Sequence, residues 1–161
     1  VVNLAVALAD LGRSVLVLDA DLSLANVDVM LGLRVRHTLH EVLVGTKTID
    51  DVMLKGPSGV SIIPAASGVE RLTQLSQLER LALMQEVERV AVQYDYLLID
   101  TQAGIGPDVM QLNAASNEIL CVVNPEPTSL TDAYALIKLL ARSYGEREVS
   151  IISTRVSGKS E

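Results

Sequence analysis

The segments Val15-Leu16-Val17-Leu18-Asp19-Ala20-Asp21 and Tyr96-Leu97-Leu98-Ile99-Asp100-Thr101 each run apolar and then stop abruptly at carboxylate. A stretch that is apolar at every position predicts a strand buried on both faces, the condition of a parallel sheet covered by helices. Such sheets bind ligands just beyond the carboxyl ends of their strands. The sequence therefore predicts Asp19, Asp21 and Asp100 at one sheet edge. Gathered carboxylates repel one another and resist desolvation, so a cation or hydrogen bonds must compensate. A metal-phosphate site meets both demands, with Mg²⁺ the expected metal.

The chain has 161 residues, 49% of them hydrophobic, yet no Trp or Phe and only four Tyr. Its core must be built from Leu, Val, Ile and Ala, which suits one domain of sheet and helix. It also argues against a nucleic-acid binder that stacks bases on aromatic rings. A net charge of −7 speaks against nonspecific attraction to DNA or anionic lipid. The single Cys121 lies in an apolar run and reads as a small buried hydrophobe, with no disulfide framework. No apolar run approaches the roughly 18 residues of a membrane span, and no signal peptide is visible. The expected location is cytoplasmic. Residues 1–11 have helical apolar spacing and meet a C-capping Gly12, but no start signal precedes them. A strand and a loop are expected upstream.

Along the chain, helix and strand alternate. Helices are predicted at 1–11, 38–44, 49–54, 77–93, 107–115 and 129–144, with a short helical or irregular segment at 24–31. Strands are predicted at 15–19, 60–64, 96–100, 118–123 and 149–153. The alternation, without repeats or low-complexity linkers, predicts an α/β fold: a mostly parallel sheet with helices on both faces, forming one domain over 1–161.

Residues i and i+2 of an extended chain point the same way, so Asp19 and Asp21 can face one ligand. One can hold metal through water while the other orients a nucleophilic water; alternatively Asp21 simply caps the next segment. Asp100 is placed as a Walker-B-type carboxylate, and Gly104 and Gly106 let the following loop approach a phosphate closely. An ordinary strand-to-helix turn, capped by Asp or Thr, would look similar. In Asn124-Pro125-Glu126-Pro127 two prolines stiffen a loop at a strand end, and local chemistry alone favours a rigid turn over a nucleotide wall. His37 and His40 lack further ligands, so a solvated helix start is expected rather than a metal pair. Glu86, Glu88 and Arg89 read as a solvated helix face.

Taken together, Val2-Asn3-Leu4-Ala5-Val6-Ala7-Leu8-Ala9, Gly12, Val17-Leu18-Asp19-Ala20-Asp21-Leu22 and Leu24-Ala25-Asn26-Val27-Asp28-Val29-Met30-Leu31-Gly32 closely resemble the MinD/ParA family of deviant-Walker P-loop ATPases. The best match is to its MinD-like flagellar-number regulators. Tyr94-Asp95-Tyr96-Leu97-Leu98-Ile99-Asp100-Thr101 and Asn124-Pro125-Glu126-Pro127-Thr128-Ser129-Leu130-Thr131-Asp132-Ala133-Tyr134 are similar to later blocks in the same order. The resemblance implies a three-layer P-loop NTPase-like domain that hydrolyses ATP with Mg²⁺. It implies that Asp21 orients the attacking water and that Asp19 supports magnesium and the phosphates. By the same resemblance Asp100 is the Walker B aspartate, Thr101 to Gly104 the switch after it, and Asn26 a switch residue near the γ-phosphate. Asn124, Pro125 and Glu126 resemble the loop near the nucleoside, and Thr154 falls where flagellar members carry an adenine-contacting Asn. Implied partners are ATP and ADP, a second copy in an ATP-dependent homodimer, and a flagellar SRP-type GTPase or a transcriptional regulator. Membrane contact would come through a C-terminal amphipathic helix not found in these residues, giving a peripheral location at the inner membrane face.

The family's glycine-rich loop, Lys-Gly-Gly-Val-Gly-Lys followed by Thr or Ser, is absent from the 161 residues, and Gln102 replaces a small residue. The domain is therefore expected to be incomplete at both ends, first strand and P-loop included, and hydrolysis by this chain itself is not expected. Two other classes remain open: a degenerate, non-hydrolysing binding or assembly module, and a ParA-type DNA-partitioning ATPase, which the acidic charge disfavours.

Overall fold

The computed structural model describes residues 1–21, 26–65, 76–145 and 148–155. It divides into two compact units, Val1–Gln102 and Ala103–Glu161. The first unit opens with helix α1 (Val2–Asp10), strand β1 (Val15–Asp19) and the short helices α2 (Val27–Met30), α3 (Leu39–Leu43) and α4 (Ile49–Val52). Strand β2 (Leu54–Lys55), a 3-10 turn (Pro57–Gly59) and strand β3 (Ser61–Ile63) follow, then helix α5 (Gln77–Ala91) and strand β4 (Tyr96–Asp100). Residues 24 and 25 of the segment predicted at 24–31 lie outside the described residues.

The sheet order is β2-β3-β1-β4. β1 runs parallel to both β3 and β4, and only β2 is antiparallel. All five residues of β1 are buried. Leu16 and Leu18 pack on one face with Leu39, Ile49, Ile63, Leu83, Val87 and Val90. Val15 and Val17 pack on the other with Val2, Ala5, Val27, Val60 and Ile62. The unbroken apolar run of β1 is thus the imprint of two helical layers. β4 is an edge strand of this sheet, and its apolar run is only half-buried, with Tyr96 43% exposed.

Helices α3, α4 and α5 start on capping boxes, Thr38 with Glu41, Thr48 with Asp51 and Ser76 with Glu79, which satisfy otherwise orphaned amides. The helix predicted at 49–54 stops at Val52. Leu54 and Lys55 instead pair antiparallel with Ile62 and Ser61. At the turn, a Cβ on Gly56 would lie 2.8 Å from Ile62 Cδ1, so a larger residue there would displace the tip of that side chain. Buried Ser61 Oγ accepts from Lys55 Nζ at 2.6 Å and from the Tyr94 hydroxyl at 2.8 Å, so its polarity is satisfied inside the sheet.

The second unit contains helix α6 (Pro107–Ala115), strand β5 (Ile119–Val123), helix α7 (Pro127–Tyr144) and strand β6 (Val149–Ser153). β5 and β6 are parallel. Met110, Ile119 and Leu140 form its core together with Leu136, Leu139 and Val149. β5 alternates: Ile119, Cys121 and Val123 are buried, whereas Leu120 and Val122 are exposed. Cys121 is the buried thiol expected, and burial pushes its pKa up. No helix among the described residues is long and apolar enough to cross a membrane.

The starts of β1 and β4 are joined by a reciprocal latch. Ser14 N–H and Oγ–H both donate to Asp95 Oδ2 at 2.8 Å, and Asp95 N–H donates to Ser14 Oγ at 2.9 Å. Those bonds favour the carboxylate and hold the Asp95 pKa below its ordinary 3.8. A depressed acid stabilises the fold above its unfolded pKa and loses that contribution as pH falls through the folded pKa. Asp95→Ala should therefore lower the urea midpoint at pH 7, and the gap to wild type should close as pH drops below 3.8. By contrast Leu16→Ala, at a site with no exposure, should cost about 2–5 kcal/mol at both pH values in the same denaturation experiment.

Candidate functional site

Parallel register places Asp19 directly opposite Asp100 at the carboxyl ends of β1 and β4. The backbone continues the pairing one step further, with Ala20 N–H donating to the Asp100 carbonyl at 2.8 Å. Asp19 is 1% exposed. Its Oδ1 accepts from Asp21 N–H at 3.2 Å, and its Oδ2 from Asn26 N–H at 3.1 Å and Val27 N–H at 3.2 Å. One carboxylate thereby fixes both Asp21 and the start of α2 to the end of the sheet.

Burial is the largest influence on Asp19 and raises its pKa; the three amide bonds oppose it, and the charge of Asp100 adds to the rise. Asp100 is also pushed up by burial first, and the charge of Asp21 reinforces the rise. The charge of Asp100 thus acts on Asp19 and that of Asp21 on Asp100, in a chain of like charges along the sheet edge. Asp21 and Thr101 are half-buried, and Asn26 is exposed at the N-cap of α2 without a side-chain cap bond.

Among the described residues no three His, Cys, Asp or Glu side chains gather into a metal-binding group. The donors present still fit Mg²⁺, which takes oxygen ligands, keeps several waters and is commonly held by one or two carboxylates together with substrate phosphates. They do not fit a metal held by protein alone.

In the second unit, Gly104 is exposed with φ 108°, backbone that favours glycine. Asn124 is half-buried, and Pro125 and Glu126 are exposed. Asn124 N–H donates to Ser129 Oγ at 3.0 Å, and Glu126 N–H to the Asn124 carbonyl at 2.7 Å. At the end of β6, Thr154 N–H donates to the Val123 carbonyl at 2.9 Å, and its hydroxyl hydrogen-bonds Asn124 Oδ1. The structure thus joins Asn124 and Thr154 at the carboxyl ends of β5 and β6.

His37 lies at the solvated helix start expected of it, with its side chain 42% exposed, and only His40 departs. His37 Nδ1 lies 3.5 Å from Glu41 Oε1, while His40 Nδ1 is buried without a partner. Glu41 is held at a pKa of about 2, chiefly by the Thr38 amide it accepts from. The triple acceptor role of Asp19 has no signal in the sequence, because Asn26 and Val27 are recruited by folding rather than by spacing.

A mostly parallel sheet with aspartates paired on adjacent strand ends, flanked by helices, is the frame of a P-loop NTPase fold. A family model described as an AAA domain matches residues 1–151. Antiactivator FleN of Pseudomonas aeruginosa is 49% identical over 160 residues, covering 99% of this chain and 57% of that protein. The flagellum site-determining protein YlxH of Helicobacter pylori is 35% identical over 159 residues, covering 99% of this chain and 53% of that protein. Among solved structures, a chain of the MinC:MinD cell division protein complex of Aquifex aeolicus matches with a TM-score of 0.79 and 30% identity, over 97% of this chain and 62% of that one. MinD complexed with Mg-ADP from Pyrococcus horikoshii matches with a TM-score of 0.75 and 32% identity, over 93% of this chain and 60% of that one. The chain belongs to this AAA domain family, as a MinD/ParA-type P-loop ATPase. It spans 57% and 53% of the lengths of the two flagellar relatives.

Asp19→Ala removes the acceptor shared by three amides. Leaving a buried amide such as that of Val27 unsatisfied costs about 1–3 kcal/mol. Hydrogen–deuterium exchange should quicken at Asp21, Asn26 and Val27 well beyond any change in β3; unchanged protection there would contradict the anchoring role.

Proposed function

We propose that residues 1–161 form one MinD-like ATPase domain whose parent protein hydrolyses ATP to switch dimerisation and partner or membrane binding, in the control of flagellar number. The observation that carries this reading is the pairing of Asp19 with Asp100 at adjacent parallel strand ends, with Asp21 anchored beside them. The similarity to FleN and YlxH supports the flagellar setting.

Asp100 and Asp19 would hold Mg²⁺ directly or through its waters. When bound, Mg²⁺ supplies charge neutralisation at the β- and γ-phosphates. Asp21 orients the water that attacks the γ-phosphate, displacing ADP. Asn26 contacts the γ-phosphate, and Thr101 and Gly104 form the switch that follows β4. Asn124, Pro125, Glu126 and Thr154 take the nucleoside. An ATP-bound homodimer, with a GTPase or transcriptional regulator as partner, completes the proposal. Its parts are separable because positioning a nucleophile and stabilising phosphoryl charge are distinct contributions to phosphoryl transfer.

The 161-residue chain alone should hydrolyse ATP negligibly, because it carries no glycine-lysine loop to balance phosphate charge beside three carboxylates. Steady turnover by the purified chain, lost in Asp21→Ala, would contradict that. In the full-length protein, Asp21→Ala should keep ATP binding, lose most hydrolysis and accumulate as an ATP-bound dimer. Asp100→Ala should lose magnesium-dependent binding as well as turnover. Nucleotide affinity, dimerisation and turnover measured for both variants test the assignment. Parental turnover in Asp21→Ala overturns its water-orienting role, and equal loss of binding in both overturns the division of labour.

A further inference from the structure

Helix α2 and the loop after it leave apolar and basic side chains outside the core. Val27 is buried, and Leu31 and Leu33 pack with it against Val15 and Val17. The chain reverses at Gly32, φ 65°, in a Schellman closure: Gly32 N–H donates to the Val29 carbonyl at 3.1 Å and Leu33 N–H to that of Asp28 at 2.9 Å. The closure returns Leu33 to the core and leaves Val29 73% and Met30 67% exposed. Residues 29–40 hold two Arg and two His and no carboxylate, in a chain of net charge −7. Arg34 and Arg36 are both exposed, and among the described residues neither joins a salt bridge. The start of α2 is pinned, because Asn26 N–H and Val27 N–H both donate to Asp19 Oδ2. An apolar pair and two guanidiniums therefore stand outside the core on a segment fixed at its start and at its turn.

We propose that Val29, Met30, Arg34 and Arg36 form a docking surface for a short acidic segment of a partner protein, which sets carboxylates on the two arginines and an apolar side chain on Val29 and Met30. The inference stands on the first unit alone and does not depend on ATP hydrolysis. Charge complementarity selects the occupant. Guanidinium forks bind carboxylates bidentately, and Arg clusters are a recurrent means of reading acidic motifs. Met and Arg are both enriched at protein interfaces, and Met adapts its shape to the apolar group it meets. An anionic bilayer or a nucleic acid would instead bring many further negative charges toward a protein of net −7, at a Debye length of about 8 Å. A second copy of the chain would bring the same net negative charge. A short segment concentrates its charge on the two arginines and avoids that repulsion. Because α2 starts on Asp19, the surface is already ordered before binding, which lowers the cost of docking.

The test selects binders from a display library of random short peptides on the immobilised full-length protein and measures the best of them by fluorescence anisotropy. Selected peptides should be rich in Asp and Glu around an apolar residue, and their affinity should fall as salt is added. Arg34→Gln combined with Arg36→Gln should weaken the best peptide about fivefold or more, the joint effect of two exposed ion pairs. Met30→Ser should weaken it about tenfold through lost apolar burial, with the salt dependence of wild type. The substituted side chains are exposed, so each variant should keep the wild-type thermal midpoint; if one does not, the other carries the test. The same peptide with Asn and Gln in place of Asp and Glu should lose binding, a check that needs no variant. A selection that yields no acidic peptides, or acidic peptides that bind both variants as tightly as wild type, would overturn the proposal. So would phosphatidylglycerol vesicles held by the two arginines where no peptide is, which assigns the surface to a membrane. Self-association of the nucleotide-free protein that the double arginine variant abolishes would overturn it as well, in favour of a second copy.

Discussion

The in-register parallel pairing of β1 with β4 is the constraint on which the candidate site depends. Five successive pairs run from Val15 with Tyr96 to Asp19 with Asp100. The side-chain period of a strand is two, so a slip of one residue would move the apolar set to the other face. The same slip would separate the two carboxylates. Core and site are therefore fixed by one register. The apolar rows hold it from both sides in β1, and the Ser14–Asp95 latch holds its beginning. The cost of that arrangement is electrostatic. Two acids sit where burial raises their pKa values, and neither has a cationic side chain among the causes that offset the rise. At Asp19 three backbone amides carry the compensation.

Asp19 illustrates how a carboxylate can be structural and chemical at once. Its oxygens are divided among three amides, which positions Asp21 without using the side chain of Asp21 itself. A carboxylate so engaged keeps few lone-pair directions for a metal, whereas Asp100, half-buried at the strand tip, is less committed to backbone. The chemistry assigned to Asp100 and Asp21 thus stands on the anchoring by Asp19.

Much of this frame was legible in the sequence because the responsible signals are local. The bounds of β1 and β4 follow from apolar runs ending in carboxylate, and those of α6 from Pro107 at its start. The failures have physical causes. Leu54 continues the helical apolar spacing from Ile49, but it pairs antiparallel with Ile62 of β3, a partner no local pattern reveals. His40 looked like a solvated residue at a helix start, and packing buries its Nδ1. Asn124 and Thr154 were singled out separately; that they are bonded to each other is a property of the β5–β6 register.

The central claim is that the paired ends of β1 and β4 are where a metal and phosphate are handled. The most direct measurement is an anomalous difference map from crystals of the full-length protein grown with Mn²⁺ and a non-hydrolysable ATP analogue. The account predicts a single strong peak within about 5 Å of a carboxylate oxygen of Asp100 or Asp19, the reach of a metal bound directly or through one of its waters. A nucleotide-bound structure with its metal peak remote from both aspartates would contradict it.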